Sequence, residues 1–399
     1  EGAFSEATRE MLASGDWGHT TLNGEDRFDK PILVYWLQAA SVSLLGLHEF
    51  ALRLPSALCA WGWALAVWAF ARPRLGERAA NSAALMMATS LGVLAIGRAA
   101  TADALLNFLL VLAAFDAWRW LESEQKAPLR RAFAWMGLGL LAKGPVAVLV
   151  PVAAAGVWLL ATFDGRYILR RVRQGVGDWR AWALLIGIAA PWYAYALHRH
   201  GQAFIDGFFV RHNLSRYTGT MEQHGGGWAY YLVVMPLLLL PWALLLAAVA
   251  RRAVEHWQRP LGRFLLGWGV FVIVFFSLSG TKLPHYVLYG ATPLVLLMAV
   301  EAERMGPAMR WAQAIACLAL LALVTLPAIT VPMWVDQVRH PMYRALLAGA
   351  EPPVVLAAVA VLVAVAVVVL ARASGPWRER LPGAGPALLS GGMVALVLL

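Results

Sequence analysis

The chain has 399 residues, 60% of them apolar and only 14% charged, with a mean hydropathy of +0.63. Soluble domains carry about a quarter charged residues, so a soluble globule is excluded, and apolar blocks of roughly 17–25 residues mark a polytopic membrane protein. The formal charge of +10 comes from arginines that punctuate these blocks and not from a basic tail, which points to membrane topology and excludes a nucleic-acid partner.

The first predicted elements lie in the polar opening, residues 1–54. Glu6 to Leu12 has helical character, which Ser14-Gly15-Asp16 ends. The stretch RFDKPILVYWLQAAS, Arg27 to Ser41, then places an acid, a lysine and a proline before an aromatic-rich run. Ile32 to Leu47 predicts a helix lying in the membrane interface. The chain opens on Glu1 in polar sequence and closes inside an apolar run, so a preceding membrane helix and a C-terminal domain are both expected beyond this stretch.

Twelve membrane blocks follow, at 55–71, 80–96, 104–121, 132–142, 146–162, 181–197, 230–250, 261–279, 286–302, 311–331, 353–371 and 384–399. The fourth and fifth, separated by Lys143-Gly144-Pro145, are either two helices or one broken one. With alternating sides, the connections 72–79, 119–131, 163–180, 251–263, 303–310 and 372–380 hold 21 of the 33 Lys and Arg, which makes that side cytoplasmic. The opposite side holds 1–54, 97–103, 143–145, 198–229, 280–285 and 332–352. It has fewer basic residues but nearly all the unusual polar ones. Cys59 and Cys317 each sit inside an apolar block and read as small core residues. The two parts are thus an outer loop over 1–54 and a transmembrane bundle over 55–399 with a mobile outer loop at 198–229.

Charged groups held at membrane level usually line a cavity or a site. Asp103, five residues after Arg98 in GRAATADALLNF, reads as a carboxylate at a cavity mouth or as an acid favoured by the helix dipole. Lys30, Lys143 and Lys282 each stand within two residues of a proline on the outer side, as compact point charges suited to phosphate, with headgroup snorkelling as the alternative. In FFVRHNLSRYTGTMEQHGGGWAYY, His212 and Arg216 share a face if helical. Gly225-Gly226-Gly227 offers a hinge for a lid, against the plainer reading of an ordinary loop. His212 with Asp29 would form part of a divalent-metal site for Zn, Mg or Mn; His224, His285, Tyr286 and Tyr35 are further cavity candidates. No P-loop, G-x-S-x-G, H-E-x-x-H or dinucleotide fingerprint is present.

These motifs together resemble the GT-C class of membrane glycosyltransferases, and within it the family of bacterial aminoarabinose transferases and protein O-mannosyltransferases. The resemblance rests on EGAFSEATREMLASGDW, NGEDRFDKPILVYWLQAAS, RLPSAL, GRAATADALLNF, LLAKGPVA, FFVRHNLSRY with HGGGWAYY, and KLPHYVLYGATP, in order along nearly the whole chain. It implies an all-α GT-C bundle with outer interfacial helices, about thirteen transmembrane helices in the full chain, and a cavity that receives a polyprenyl-phosphate-linked sugar, dolichyl or undecaprenyl. It also implies catalytic roles for Glu1, as second member of an Asp-Glu pair whose Asp precedes this stretch, and for Asp103. Lys30, Lys143 and Arg216 match phosphate-binding positions. Asp29 and His212 match metal-associated positions, where the usual acid is Glu. Ala3 stands where some members carry an arginine, a departure that bears on which sugar the donor holds.

The expected activity is inverting sugar transfer to a lipid A-like lipid, a glycan or a protein, at the outer face of the bacterial cytoplasmic membrane. The competing reading is a transporter or flippase of a lipid-linked or anionic substrate, which predicts mid-helix charges and internal repeats. The membrane blocks are nearly free of acids, Asp116 being an exception near an end, and no repeat is present. A scaffold subunit would leave the outer charge cluster unexplained.

Overall fold

The computed structural model describes residues 1–215, 217, 219, 226–338, 341, 344 and 347. Helix α1, Gly2–Ser14, ends at Gly15, whose φ of 71° is left-handed; without a Cβ, glycine takes this conformation at little cost. A two-stranded hairpin, Thr21–Leu22 with Glu25–Asp26, follows. Glu10 steadies it by accepting from the Thr21 hydroxyl and from the Asn23 N–H at 2.7 Å. Helix α2, Leu33–Leu45, begins after Pro31, within the stretch Ile32 to Leu47 expected to be helical. Helix α3 runs Glu49–Leu75, so the expected loop boundary at 54 falls inside a helix.

Beyond it run α4, Glu77–Thr89; α5, Leu91–Gly97; α6, Asp103–Ser123; α7, Lys126–Ala142; α8, Val146–Thr162; α9, Gly165–Val176; and α10, Trp179–His200. Lys143-Gly144-Pro145 is a true reversal between α7 and α8, with Gly144 at φ 107°. The block 80–96 is bent by 59° between α4 and α5, where Ser90 Oγ donates to the Met86 carbonyl at 2.6 Å. The block 230–250 divides into Tyr230–Leu238 and Leu244–Arg251, with Pro241 between them. Pro260–Ser277 follows the expected eighth block, and the ninth is a 3₁₀ turn, Pro284–Gly290, leading into Ala291–Glu303. Pro307–Trp334 covers the tenth. Among the described residues five helices are long and apolar enough to cross a membrane, or six if the bent pair is one span, so twelve full-length spans are not reached there; the eleventh and twelfth blocks lie outside the described residues.

The element missed from sequence is α9, inside the predicted connection 163–180. Asp164 caps it by accepting from the Tyr167 N–H at 2.8 Å, and Asp178 caps α10 by accepting from the Arg180 and Ala181 N–H groups. Its leucine and valines are bracketed by arginines, a helical period that a positive-charge count ignores.

Bundle packing relies on small residues. Ala64 and Ala71 of α3 and Ala80, Ala83 and Ala84 of α4 are fully buried, which lets two backbones approach in a medium where lipid is as apolar as leucine. Two buried indoles find acceptors: Trp63 Nε1 donates to Thr292 Oγ1 at 2.7 Å, and Trp268 Nε1 to the Tyr289 carbonyl at 2.8 Å.

The ion pairs separate the molecule into two ends. Arg74 meets Glu122, Arg130 meets Asp178, Arg171 meets Glu124, and Arg252 meets Glu301, all within or beside the connections predicted as cytoplasmic. At the other end Glu1 meets Arg53, Asp16 meets Arg199, and Asp29 meets His212. Among the described residues, the connections of each predicted set that carry these pairs therefore gather at one end, as alternation requires.

Candidate active site

Asp103 opens α6, where an acid faces the positive helix end. Lys143, carried by the α7–α8 reversal, donates to Asp103 Oδ1 and to the Tyr289 hydroxyl at 2.9 Å. Its ammonium also lies 5.1 Å from the Tyr286 ring centre, a distance at which an aromatic face attracts a cation. His285 Nε2 reaches the same carboxylate oxygen at 3.5 Å. Three segments far apart in sequence thus converge on one carboxylate.

A second cluster sits on the turn before α2. Asp29 binds Lys30 Nζ at 2.7 Å, Arg27 at 2.9 Å and His212 Nδ1 at 3.2 Å. Burial opposes its ionisation, but Lys30 beside it outweighs that effect, helped by His212 and Arg27, and holds the carboxyl down at about 2. Asp29 is therefore an anion at any physiological pH. Arg27 Nε also donates to the Tyr35 hydroxyl at 3.2 Å, and burial pushes that phenol up to about 12.

The two clusters face one cavity of about 390 Å³, lined by Asp29, Lys30, Lys143, Pro145, Val146, Leu149, Phe209, His212, Tyr217, Phe275, Phe276, Ser279, Tyr286 and Tyr289. Its cations and phenols lie opposite a mainly apolar wall, which suits a ligand that is anionic at one end and lipid at the other. Tyr217 and Gly219 bond to the 279–281 turn: Gly280 N–H donates to the Tyr217 carbonyl at 2.8 Å and Thr281 Oγ1 to the Gly219 carbonyl at 2.8 Å. A Cβ on Gly280 would lie 2.6 Å from the Gly219 oxygen, so the contact needs glycine.

Of the residues singled out from sequence, Lys30, Lys143, Asp29, His212 and Tyr286 line the cavity, Asp103 and His285 adjoin it through Lys143 and Oδ1, and Tyr35 stands behind Arg27. Others are placed elsewhere. Lys282 is buried and donates to the Ser279 carbonyl at 2.6 Å, serving the turn and not the lining. Arg98 is exposed at the end of α5. Glu1 pairs with Arg53 at 2.6 Å and accepts from the Ala100 N–H, beside the 97–103 turn; burial raises its pKa, yet the Arg53 bond leaves it lowered. Arg216 and His224 lie outside the described residues. Residues 205–215 form a π-helix in place of a loop.

Sequence reasoning missed Tyr289, Arg27 and the aromatic wall of Phe209, Phe275 and Phe276. Tyr289 was signalled by its spacing from Tyr286, since residues three apart eclipse in a 3₁₀ turn; the wall has no local signature. As for a metal, Asp29 and His212 do come together, but they supply two donors where a zinc site uses three or four protein ligands, and Lys30 and Arg27 already sit on the carboxylate. The pair does not fit a resident ion.

Residues 29–195 match the family described as dolichyl-phosphate-mannose-protein mannosyltransferase. An undecaprenyl phosphate-α-4-amino-4-deoxy-L-arabinose arabinosyl transferase of Pseudomonas fluorescens is 32% identical over 305 residues, 75% of this chain and 51% of that protein. The corresponding protein of Erwinia tasmaniensis is 30% identical over 360 residues, 85% of this chain and 62% of its own length. The crystal structure of ArnT from Cupriavidus metallidurans bound to undecaprenyl phosphate superposes with a TM-score of 0.78 at 24% identity, over 99% of this chain and 72% of that one. The chain is thus similar to the aminoarabinose transferases over most of its length. It spans between half and two thirds of the length of these two relatives. The all-helical bundle expected from sequence is shared with that ArnT structure.

Proposed function

We propose that the protein transfers a sugar from a polyprenyl-phosphate donor to an acceptor bearing a nucleophilic hydroxyl or phosphate, at the outer face of the bacterial cytoplasmic membrane. The observation that carries this is the meeting of Lys30 and Lys143, from segments over a hundred residues apart, in one apolar-walled cavity beside Asp103. The donor's phosphate would rest between the two ammonium groups, and its prenyl chain along Phe275 and Phe276. The acceptor oxygen attacks the anomeric carbon from the face opposite the phosphate; the carbon–oxygen bond to phosphate breaks, and the electron pair leaves with the polyprenyl phosphate. The proton of an acceptor hydroxyl passes to a carboxylate at the cavity mouth, for which Asp103 is the placed candidate once Lys143 turns to the phosphate. Lys143 thus stabilises charge that grows on the leaving group, the kind of contact that lowers a barrier. Attack from the opposite face inverts the anomeric centre. The side assignment is supported by the positive-inside count together with the two-ended grouping of ion pairs.

The test is mass spectrometry of envelope lipids and glycoproteins from cells with the intact gene, without it, and with Lys30→Ala or Asp103→Asn. The proposal expects a sugar-bearing species that disappears with the gene and falls by on the order of 10²-fold in each variant. Normal levels in both variants would defeat it.

A further inference from the structure

A group outside this cavity has the composition of a metal centre. His19 stands in the turn after α1, Asp26 in the second hairpin strand, and His200 is the last residue of α10. Asp26 bridges the two imidazoles: His19 Nε2 lies 2.9 Å from Oδ1, and His200 Nδ1 lies 3.2 Å from Oδ2. The rings stack at 4.4 Å, and one ligand atom from each of the three residues lies within 4.8 Å of the others. Donors at about 2.0–2.2 Å from a zinc ion sit roughly 3–4 Å from one another, so small ring rotations would bring these three around an ion.

We infer that His19, Asp26 and His200 bind a divalent cation of the zinc type. Two neutral imidazoles and one carboxylate are a known donor set for zinc with a water in the fourth position. The burial pattern suits it. Both histidine side chains are about one-tenth exposed while Asp26 is half exposed, so the ion would reach the histidines through the solvent-facing carboxylate. Phe28 packs edge-on against His200 at 5.1 Å and Phe204 against Phe28, walling the inner side. Buried His200 Nε2 has no hydrogen-bond partner among the described residues, so no such bond pins the ring by that atom and either nitrogen can be presented.

The ion would staple two walls of the cavity. Asp26 precedes Asp29 and Lys30 by three and four residues, and His200 leads into the π-helix that carries Phe209 and His212. Among the described residues the Asp16–Arg199 pair, the Trp192 Nε1 bond to the Gly18 carbonyl, the Asp29–His212 pair and the packing of Phe28 on Phe204 already tie these neighbourhoods, and the ion would add a direct link between the hairpin and the end of α10.

The experiment titrates ZnCl₂, and in parallel CoCl₂, into chelator-stripped protein in detergent micelles, reading stoichiometry, thermal unfolding and the cobalt absorption bands. Expected is one equivalent bound with a rise in unfolding temperature, both lost in His19→Ala, His200→Ala and Asp26→Asn and retained in His212→Ala. Asp26→Asn, at the exposed ligand, decides the matter if a histidine variant fails to fold. No bound equivalent in the natural protein overturns the inference. So does binding that survives loss of His19 and His200, or binding lost in His212→Ala alone, which would place the ion at Asp29.

Discussion

Lys143 and Asp103 are buried against each other, and removing either partner strands the other as an uncompensated charge. Breaking such a pair costs about 3–5 kcal/mol, whereas replacing both members by groups of similar shape is often neutral. Lys143→Met and Asp103→Asn are therefore each expected to lower the unfolding temperature in micelles, and the double variant to regain most of it. Transfer should stay absent in all three. If the double variant were no more stable than the worse single one, the pair would not be coupled as described. The contrast isolates chemistry from folding, because the double variant removes both charges together and leaves neither stranded. A similar logic separates Lys30 from Lys282. The first lines the cavity and bonds Asp29; the second is held by a backbone carbonyl of its own turn. Both follow the same lysine-near-proline pattern in sequence, and only their surroundings set them apart.

At the scale of elements, the site depends on a reversal of three residues. α7 and α8 both pack on α6, and the chain between them must turn at the level of the cavity so that Lys143 projects inward. Gly144 makes this turn at φ 107°, a conformation costing a side-chain-bearing residue about 1–3 kcal/mol. Gly144→Ala is expected to destabilise the protein by that order and to reduce transfer more than a conservative change on a lipid-facing helix does, such as Val152→Ala. Comparing transfer rates at equal folded protein checks it, and equal rates for the two variants would count against the reversal as a positioning device. The same scale explains why α9 was hidden. Its pattern GRYILRRVRQGV reads as a charge-rich connection when residues are counted and as an amphipathic helix when the period is followed, with Leu169, Val172 and Val176 exposed along one stripe. The block 230–250 misled in the opposite direction, because uniform apolarity gave one helix where Pro241 interrupts two.

The described part of the molecule is two-ended, with the basic connections it includes gathered at one end and the cavity, hairpin and α2 at the other. That division predicts labelling. In a background with Cys59 and Cys317 replaced by alanine, Ser14→Cys should react with a membrane-impermeant thiol reagent added to intact spheroplasts. Arg173→Cys, on α9, should react only after lysis. Both positions are exposed, so a failure of either reflects sidedness and not burial. The reverse pattern would put the cavity in the cytoplasm, where a nucleotide-activated donor would be available, and the proposed use of a polyprenyl-linked sugar would lose its reason.

What the sequence determined by itself was the medium and the alternation: apolar blocks must form helices because lipid offers no partner for backbone N–H and C=O groups, and arginine placement then orders their ends. It also singled out Asp29, Lys30, Asp103 and Lys143, because charge at membrane depth persists only where something uses it. Tertiary structure alone decided which of these groups meet. Asp103 and Lys143 are forty residues apart and Lys143 and Tyr289 a further 146, and their contact follows from how α6, α7 and the 284–290 turn pack, which no local pattern encodes. The His19–Asp26–His200 group is the same lesson at greater distance, since its three members join only when the hairpin folds onto the end of α10.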